Sequence, residues 1–577
     1  MRRFFPFLNW LPSYNKRLLA QDAVAGLTGG IVLIPQGMAY AMIAGLPPVY
    51  GLYASIMPLL VYTFLGTSRQ LAIGPVAMDS LLVAAGLGAL VVSGIGEYIA
   101  LAILLTFMVG TIQLILGFFR MGFLVNFLSK PVISGFTSAA AIIITFSQLK
   151  HLLGTDIAQS SRFHFLFNES FREMHNTHGL TLLIGIGGIF LILLLQKWNR
   201  KIPSFLIVVL IGILLVTLLG LERYGVDVVG NIPKGLPAFR VPAISWEHVN
   251  MLMPMAVALA VISYTEAISI GQSLDEKNSE DTVDPNQELL AIGASNLIGS
   301  FFQSYSVTGS FSRSAINNKL QARTPMAGLI GMLLVALTLL FFTPLFHDLP
   351  KAVLASIIMV SVAGLVEIRY PAILWVHQRE EFFVLIFTFL FTLFLGIQQG
   401  ILLGVLLSLM VMLYRTSKPH FAILGKIKNT EYYRNVERFR DDVEVREDLL
   451  IVRFDSQLYF GNRNYFKKQL NRYIERKGRP LRCIILNAEA VNYIDSSATS
   501  MLVKLIHEIQ LRNIKFYISG AIGPARDVIF NSAIIELLPK EHLFVRIHEA
   551  VDYFDKPESA SEVQERIAYQ SKPYGND

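Results

Sequence analysis

The chain of 577 residues is poor in charge. Only 16% of its residues are Asp, Glu, Lys or Arg, whereas 53% are hydrophobic. A soluble domain carries about 25% charged residues. This deficit argues against an ordinary soluble protein of this length and favours a chain that crosses a membrane many times.

Cysteine is almost absent as well. Cys483 is the only one, so no internal disulfide and no cysteine-based metal or redox motif is expected. The chain shows no Ser/His/Asp triad, no zinc-ligand spacing and no Walker A loop. The net charge of +7 comes without a basic patch interleaved with aromatic residues. We therefore expect neither an enzyme nor a resident metal or cofactor, and no nucleic-acid partner.

Hydrophobic blocks dominate residues 23–415. There are about fourteen of them, and a helix needs about 20 apolar residues to span a bilayer. The fold class predicted is an α-helical polytopic membrane protein in the lipid bilayer. Lys and Arg concentrate in loops of one parity, which predicts cytoplasmic N- and C-termini in the cell (inner) membrane. Residues 1–20 form a retained cytoplasmic or interfacial segment in this scheme, and residues 21–415 the transmembrane domain.

Two of the blocks, within residues 71–82 and 306–317, are short. Each opens near a glycine, and Pro75 is suited to the first position of a helix. We predict two half-helices whose N-termini meet near the middle of the bilayer. Helix N-termini carry partial positive charge, and Arg313 lies one turn into the second one, so together they predict an anion site. Hydroxyls surround this second start, at Ser306, Thr308, Ser310 and Ser312. The alternative is a packed Gly/Ser kink with Arg313 paired to an acid.

The two short blocks also indicate an internal repeat. Gly74 and Gly309 each lie in the link into the third block of a seven-block set. An odd number of spans per repeat forces opposite orientations. Inverted repeats with interrupted helices are typical of secondary transporters, with the site at the repeat interface.

Four further polar residues lie in apolar blocks. Gln36 and Tyr40 share one helix face and either line the cavity or, for Gln36, satisfy backbone groups freed by Pro35. Glu266 is either a coupling group for H⁺ or Na⁺ or a structural partner of a basic residue. Asp79 is a second intramembrane acid, which either shares coupling with Glu266 or binds a cation.

The composition changes after residue 415. Residues 416–440 are polar and basic and are expected to form a linker, whereas 441–556 alternate strands and helices in the pattern of a small α/β domain. Residues 557–577 are expected to be a disordered tail. Asp495, Ser496 and Ser497 open a helix of this domain, where they either cap it or form a regulatory, phosphorylatable site.

Four separated stretches resemble the SulP (sulfate permease, solute carrier 26) family. They are IPQGMAYAMIAGLPPVYGLYAS, GTSRQLAIGPVA, NQELLAIGASNLIGSFFQSYSVTGSFSRSAIN and NYIDSSA, in family order. The resemblance implies two inverted seven-span repeats, core and gate subdomains, a cytoplasmic STAS domain that can bind a protein partner, and a homodimer. It places the small anion between spans three and ten, with the coupling acid at Glu266. The anion-binding residues implied are Gln36, Tyr40, Ala72, Gly74, Pro75, Val76, Ala77, Gly309, Ser310, Phe311, Ser312 and Arg313.

The activity expected from residues and resemblance together is secondary active transport of sulfate, bicarbonate or a similar anion, coupled to protons. Sodium-coupled bicarbonate symport and anion exchange are alternatives. A gated anion channel and a STAS-based signalling scaffold are alternatives of another class. The sequence departs from the family pattern at two positions: Asp79 stands where many members have an uncharged residue, and Ala498 where a glycine is common.

Overall fold

The chain divides into two compact units, Met1–Ser408 and Leu409–Asp577. The structure, a computed structural model, describes residues 5–88, 90, 94–123, 129–157, 163–198, 203–278 and 283–556. The tail expected at 557–577 lies outside the described residues.

Helices build the first unit, and the last of them, α19, continues into the second. In chain order they are α1 (Phe7–Trp10), α2 (Lys16–Ile43), α3 (Val49–Tyr53), α4 (Met57–Leu65), α5 (Ala77–Leu87), α6 (Ile95–Phe118), α7 (Lys130–Ser147), α8 (Leu149–Leu153), α9 (Phe163–Glu173), α10 (Gly179–Trp198), α11 (Ser204–Leu219), α12 (Trp246–Asn278), α13 (Pro285–Ser300), α14 (Phe311–Lys319), α15 (Met326–Leu337), α16 (Lys351–Ala363), α17 (Arg369–His377), α18 (Arg379–Leu395) and α19 (Ile397–Ser417). Two short strands, β1 (Ile73–Gly74) and β2 (Thr308–Gly309), interrupt them.

Many of these helices have the length and composition of membrane spans. Within the described residues, seven are long and apolar enough to cross a bilayer, and further apolar helices of 10–17 residues accompany them, among them α5 and α11. This agrees with the polytopic helical fold predicted from the composition. The count of about fourteen spans stays a prediction.

The first long helix begins earlier than the expected domain boundary at residue 21. Asn15 caps α2 by accepting hydrogen bonds from the backbone N–H groups of Arg17 and Leu18, at 3.0 and 3.1 Å. The helix continues through Pro35. Its glycines permit a very close approach to α15, because a Cβ on Gly26 would lie 2.4 Å from the carbonyl oxygen of Ala327.

A seven-stranded sheet forms the centre of the second unit. Its strands are β3 (Phe421–Ile427), β4 (Tyr433–Asn435), β5 (Val443–Glu444), β6 (Leu449–Phe454), β7 (Cys483–Asn487), β8 (Lys515–Ser519) and β9 (Leu543–Phe544). The order is β4-β3-β6-β7-β8-β9, with β5 paired to β3. Strands β6 to β9 are parallel, and β3 is antiparallel to β6.

Helices cover both faces of this sheet. They are α20 (Arg463–Lys477), α21 (Ser496–Gln510), α22 (Gly523–Phe530), α23 (Ile534–Leu537) and α24 (Ile547–Asp555). Alternate residues of a strand face opposite sides, so Leu450 and Val452 pack with α20 and α21 while Leu449 and Ile451 pack with α24. The predicted α/β domain is confirmed.

The linker expected at 416–440 is wrong in its extent. Strands β3 and β4 lie inside it, and Leu424 is paired with Ile451 of β6. Only three of the seven residues of β3 are buried, and its Gly425 and Lys426 interrupt the hydrophobic run that would indicate a buried strand.

Candidate anion site

The starts of two short helices meet in the first unit. Strand β1 leads into α5 and strand β2 leads into α14, and the two strands pair antiparallel. Ile73 lies opposite Gly309, and Gly74 opposite Thr308. The backbone N–H of Ser310 also donates to the carbonyl oxygen of Ala72, at 2.9 Å. The predicted meeting of the two segments is therefore present, and a short β-bridge holds them together.

Pro75 does not occupy the position predicted for it. Helix α5 begins at Ala77 with Val76 as its N-cap, so Pro75 precedes the cap and is not the first helical residue. The pairing of Gly74 in β1 requires extended chain up to this point, and a φ of +139° at Gly74 is accessible to glycine. Pro75 instead presents its carbonyl oxygen to the opposite segment.

The second helix start carries the expected hydroxyls. Ser310 is the N-cap of α14 and accepts a long hydrogen bond of 3.5 Å from the backbone N–H of Arg313. The hydroxyls of Ser310 and Ser312 lie 3.3 Å apart. Thr308 donates to the carbonyl oxygen of Ser263 on α12, at 2.5 Å. Two of these hydroxyls therefore lie at the helix start, and one ties β2 to a neighbouring helix.

Arg313 reaches from α14 across to the other segment. Its Nη1 donates to the carbonyl oxygen of Pro75 at 3.0 Å, and the residue is only 2% exposed. Its Nε and Nη2 make no hydrogen bond to any of the described residues. A buried guanidinium with two N–H-bearing atoms unused, beside two helix starts, is suited to bind an anion.

Gln36 and Tyr40 are both buried on α2. The side-chain amide of Gln36 makes no hydrogen bond to the described residues, so the structure gives no support to its serving the backbone around Pro35. Tyr40 lies within electrostatic range of Arg313 and Glu266. Leu33, one turn before Gln36, would touch a Cβ placed on Gly74, so this face of α2 adjoins β1.

Asp79 is fully buried in the first turn of α5. Its Oδ2 accepts hydrogen bonds from the hydroxyls of Ser263, at 2.7 Å, and Ser306, at 3.3 Å. Its Oδ1 makes none to the described residues. The acid that departed from the family pattern thus joins α5, α12 and the segment before β2.

Glu266 lies on α12 and lines a cavity of about 690 Å³. Its Oε2 makes no hydrogen bond to the described residues. Glu266 and Arg313 lie within electrostatic range of each other, so a coupling role and a structural pair both stay predictions. Met78 and Phe311, from the two helix starts, line this cavity too. Arg313 lines a separate void of about 30 Å³, which has room for a water molecule.

The candidate regulatory residues lie in the second unit. Asp495 caps α21 and accepts hydrogen bonds from the backbone N–H groups of Ala498, at 2.7 Å, and Phe460, at 2.8 Å. Ser496 is exposed, and the carbonyl oxygen of Ser497 accepts a hydrogen bond from the guanidinium of Arg463. Capping is therefore present, and phosphorylation stays a prediction.

Sequence reasoning missed several side chains that assemble this site. The hydroxyl of Ser314 accepts from the backbone N–H of Ala72, at 2.9 Å. Asn296, on α13, bonds to both backbone groups of Val307. Asn296 and Ser314 belong to the stretch from 286 to 317 that carried the family resemblance. The sequence does show these polar residues within apolar blocks, but it does not indicate which backbone groups they bind.

Comparisons with known proteins agree with this architecture. Residues 19–388 match the sulfate permease family, and residues 441–568 match the STAS domain. The chain is 37% identical to sulfate transporter 4.1, chloroplastic, of Arabidopsis thaliana, over 99% of the chain and 85% of that protein. It is 38% identical to the probable sulfate transporter 4.2 of the same plant, over 97% and 85%.

Solved structures show the same fold. A structure of SLC26A9 superposes with a TM-score of 0.88 at 27% identity and covers 98% of this chain and 94% of its own. The transmembrane domain of the cyanobacterial bicarbonate transporter BicA gives a TM-score of 0.59 at 20% identity, over 69% of this chain and 98% of its own, and supports the fold alone.

Fold and relatives together define a multi-pass membrane transporter for anions with a C-terminal STAS domain. Such proteins are transporters and not enzymes, as the lack of catalytic motifs predicted. The chain belongs to the sulfate permease family.

Proposed function

We propose that this protein is a secondary active transporter of small oxyanions, with sulfate as its first substrate. The observation that carries the proposal is the buried Arg313 between two helix starts, whose Nε and Nη2 make no hydrogen bond to the residues that the structure describes. A planar guanidinium matches the oxygens of an oxyanion better than a single point charge does. The relatives named as sulfate transporters support sulfate, and bicarbonate is the competitor to test.

Coupling to protons is the second part of the proposal. Glu266 lines the cavity of about 690 Å³. Asp79 accepts a hydrogen bond from Ser306, in the segment that leads to the second helix start. A carboxyl group in such surroundings can carry one proton for each anion and so offset one of the two negative charges of sulfate. Sodium symport and anion exchange are the other outcomes of the experiment below.

Access to the site is proposed to alternate by movement of a core subdomain against a gate subdomain. A structure of murine Slc26a9, described as inward-facing, has a TM-score of 0.88 to this chain at 27% identity. By analogy we assign the cavity of about 690 Å³ to the cytoplasmic side. A homodimer in the cell membrane, cytoplasmic termini and a protein partner for the STAS domain belong to the same proposal.

The test is uptake of labelled sulfate into proteoliposomes with an imposed proton gradient, a sodium gradient, or neither. Accumulation driven by the proton gradient supports symport, and accumulation driven only by sodium or by internal anion identifies the alternatives. A panel of competing anions then ranks bicarbonate, chloride and oxalate against sulfate. Continuous anion conductance at fixed potential, without saturable counterflow, would overturn the transporter assignment.

A further inference from the structure

A buried carboxylate on α13 holds the loop that leads into β1. Glu288 is 1% exposed. Its Oε1 accepts hydrogen bonds from the backbone N–H and the hydroxyl of Thr67, both at 2.6 Å, and from the backbone N–H of Ser68, at 2.9 Å. Its Oε2 accepts from the hydroxyl of Tyr62, at 3.0 Å. One side chain thus satisfies two backbone donors of this loop.

The loop has little freedom to absorb a displacement. It begins after α4 ends at Leu65, and Ile73 already belongs to β1. Its later part is fixed to the opposite segment, since the side-chain amide of Asn317 donates to the carbonyl oxygen of Gln70 at 3.2 Å. A shift at Ser68 is therefore passed directly to the strand that bears Gly74.

The same helix holds the other segment. Asn296 follows Glu288 by about two turns, so both lie on one face of α13. It is 0% exposed. Its Oδ1 accepts from the backbone N–H of Val307 at 2.9 Å, and its Nδ2 donates to the carbonyl oxygen of Val307 at 3.1 Å. Val307 directly precedes β2.

Helix α13 is closely packed against α6. A Cβ on Gly293 would lie 2.8 Å from the backbone nitrogen of Leu114, and one on Gly110 would lie 2.4 Å from the backbone nitrogen of Leu297. Helices α6 and α13 therefore contact each other at backbone distance. This contact gives the two anchors a rigid base.

We propose that Glu288 and Asn296 are positioning residues of the anion site. Each anchors one strand of the β-bridge to α13, and together they set the spacing between the two helix starts and the reach of Arg313 to Pro75. Neither needs to touch the anion. This inference rests on the proposed function, because the quantity that the two residues adjust is anion affinity.

Substitutions at position 288 differ in how many of these hydrogen bonds they keep. Glu288→Gln keeps one oxygen for Thr67 and Ser68 and turns an amide towards the hydroxyl of Tyr62, which can accept. Glu288→Ala leaves buried backbone donors without a partner. In Glu288→Asp the side chain is shorter by one carbon–carbon bond, about 1.5 Å. It therefore no longer reaches the backbone donors of the loop and the hydroxyl of Tyr62 at the same time.

The experiment measures KM and maximal rate of labelled sulfate uptake in proteoliposomes containing the full chain. Glu288→Ala and Glu288→Asp should raise KM about tenfold or more, the effect of one unpaired buried donor. Glu288→Gln should stay within about threefold of wild type, because its hydrogen bonds persist. Asn286→Ala is the matched control, since Asn286 lies in the first turn of the same helix but accepts from the backbone N–H of Gly122, away from the bridge; its KM should not change.

Hydrogen exchange of the loop can be measured even in variants that show no transport. Hydrogen exchange of residues 66–74 should be faster in Glu288→Ala than in wild type, and unchanged in Glu288→Gln. A wild-type KM and wild-type exchange in Glu288→Ala would overturn the inference, as would a Gln variant as impaired as the Ala variant. Arg313→Gln separates the two proposals. If it transports normally, the proposed anion site fails; if it does not while Glu288→Ala does, only the positioning role fails.

Discussion

Replacing Arg313 by Gln removes the buried guanidinium that links the two helix starts. Two of its nitrogens, Nε and Nη2, make no hydrogen bond to the described residues. Each charge-assisted hydrogen bond to an anion contributes about 1.5–3 kcal/mol. Loss of both therefore costs at least about 3 kcal/mol, which corresponds to a weakening of sulfate affinity by about 100-fold.

Arg313→Lys should weaken sulfate binding less than Arg313→Gln does. Lysine keeps the charge but not the planar fork, so it cannot bind the anion and the carbonyl oxygen of Pro75 in the same way. We expect an intermediate loss, of about tenfold. Lys319→Gln is the matched control, because it removes one positive charge from an exposed position in the last turn of the same helix.

The assay is initial uptake of labelled sulfate into proteoliposomes, over concentrations below and above the wild-type KM. Gel filtration in detergent shows that each variant is folded. We expect sulfate affinity to be highest in wild type and Lys319→Gln, lower in Arg313→Lys, and lowest in Arg313→Gln. A folded Arg313→Gln protein with wild-type KM and rate would refute the assignment of the site.

Three further predictions concern the bridge, the coupling acid and the STAS domain. Gly74→Ala should raise KM for sulfate about tenfold in the same uptake assay, because a residue with φ of +139° is strained by about 1–3 kcal/mol and the added Cβ lies 3.0 Å from Nη2 of Arg313; an unchanged KM would contradict this. Glu266→Gln should abolish accumulation driven by a proton gradient but keep sulfate counterflow, since it removes a titratable group and not the anion site; accumulation that still follows the gradient would assign coupling to another group, such as Asp79. Cys483 is 0% exposed, and burial raises the pKa of its thiol, so a maleimide should label the folded chain far more slowly than the denatured chain. Equal labelling rates would show that this sheet opens readily.

The pair of short helices could be predicted because its signals are local. Glycine, proline and hydroxyl residues at a helix start act within a few positions of themselves, and an arginine in an apolar block is costly unless it is used. The α/β domain was predictable for the same reason. The apolar strand that contains Cys483 and the amphipathic helix at Arg463–Lys477 have patterns that belong to one element each.

Pairing of extended chain was not predictable in the same way. Pro75 has the right local chemistry for a first helical residue, but the β-bridge between Gly74 and Thr308 keeps the chain extended past it. Strand β3 lies in a polar, basic stretch, and its strand character depends on Ile451 of β6 as a partner. In both places a distant segment overrides the local preference.

The anchors of the site depend wholly on distant partners. Glu288 bonds to a loop about 220 residues earlier in the chain, and Asn296 must be adjacent to Val307 in space before its role is visible. A single sequence shows that a polar residue lies in an apolar helix. Because burying such a residue is costly, we expect it to have a partner. The sequence does not show which segment provides that partner.

Diffraction from crystals grown with selenate would show whether Arg313 binds the anion, because selenate has the shape and charge of sulfate and its selenium can be located by anomalous scattering. We expect a selenium peak within hydrogen-bonding reach of Nε and Nη2 of Arg313, close to the starts of α5 and α14 at Ala77 and Phe311. An ordered selenate found only elsewhere in the membrane unit, with Arg313 not in contact with it, would contradict the assignment of the anion site.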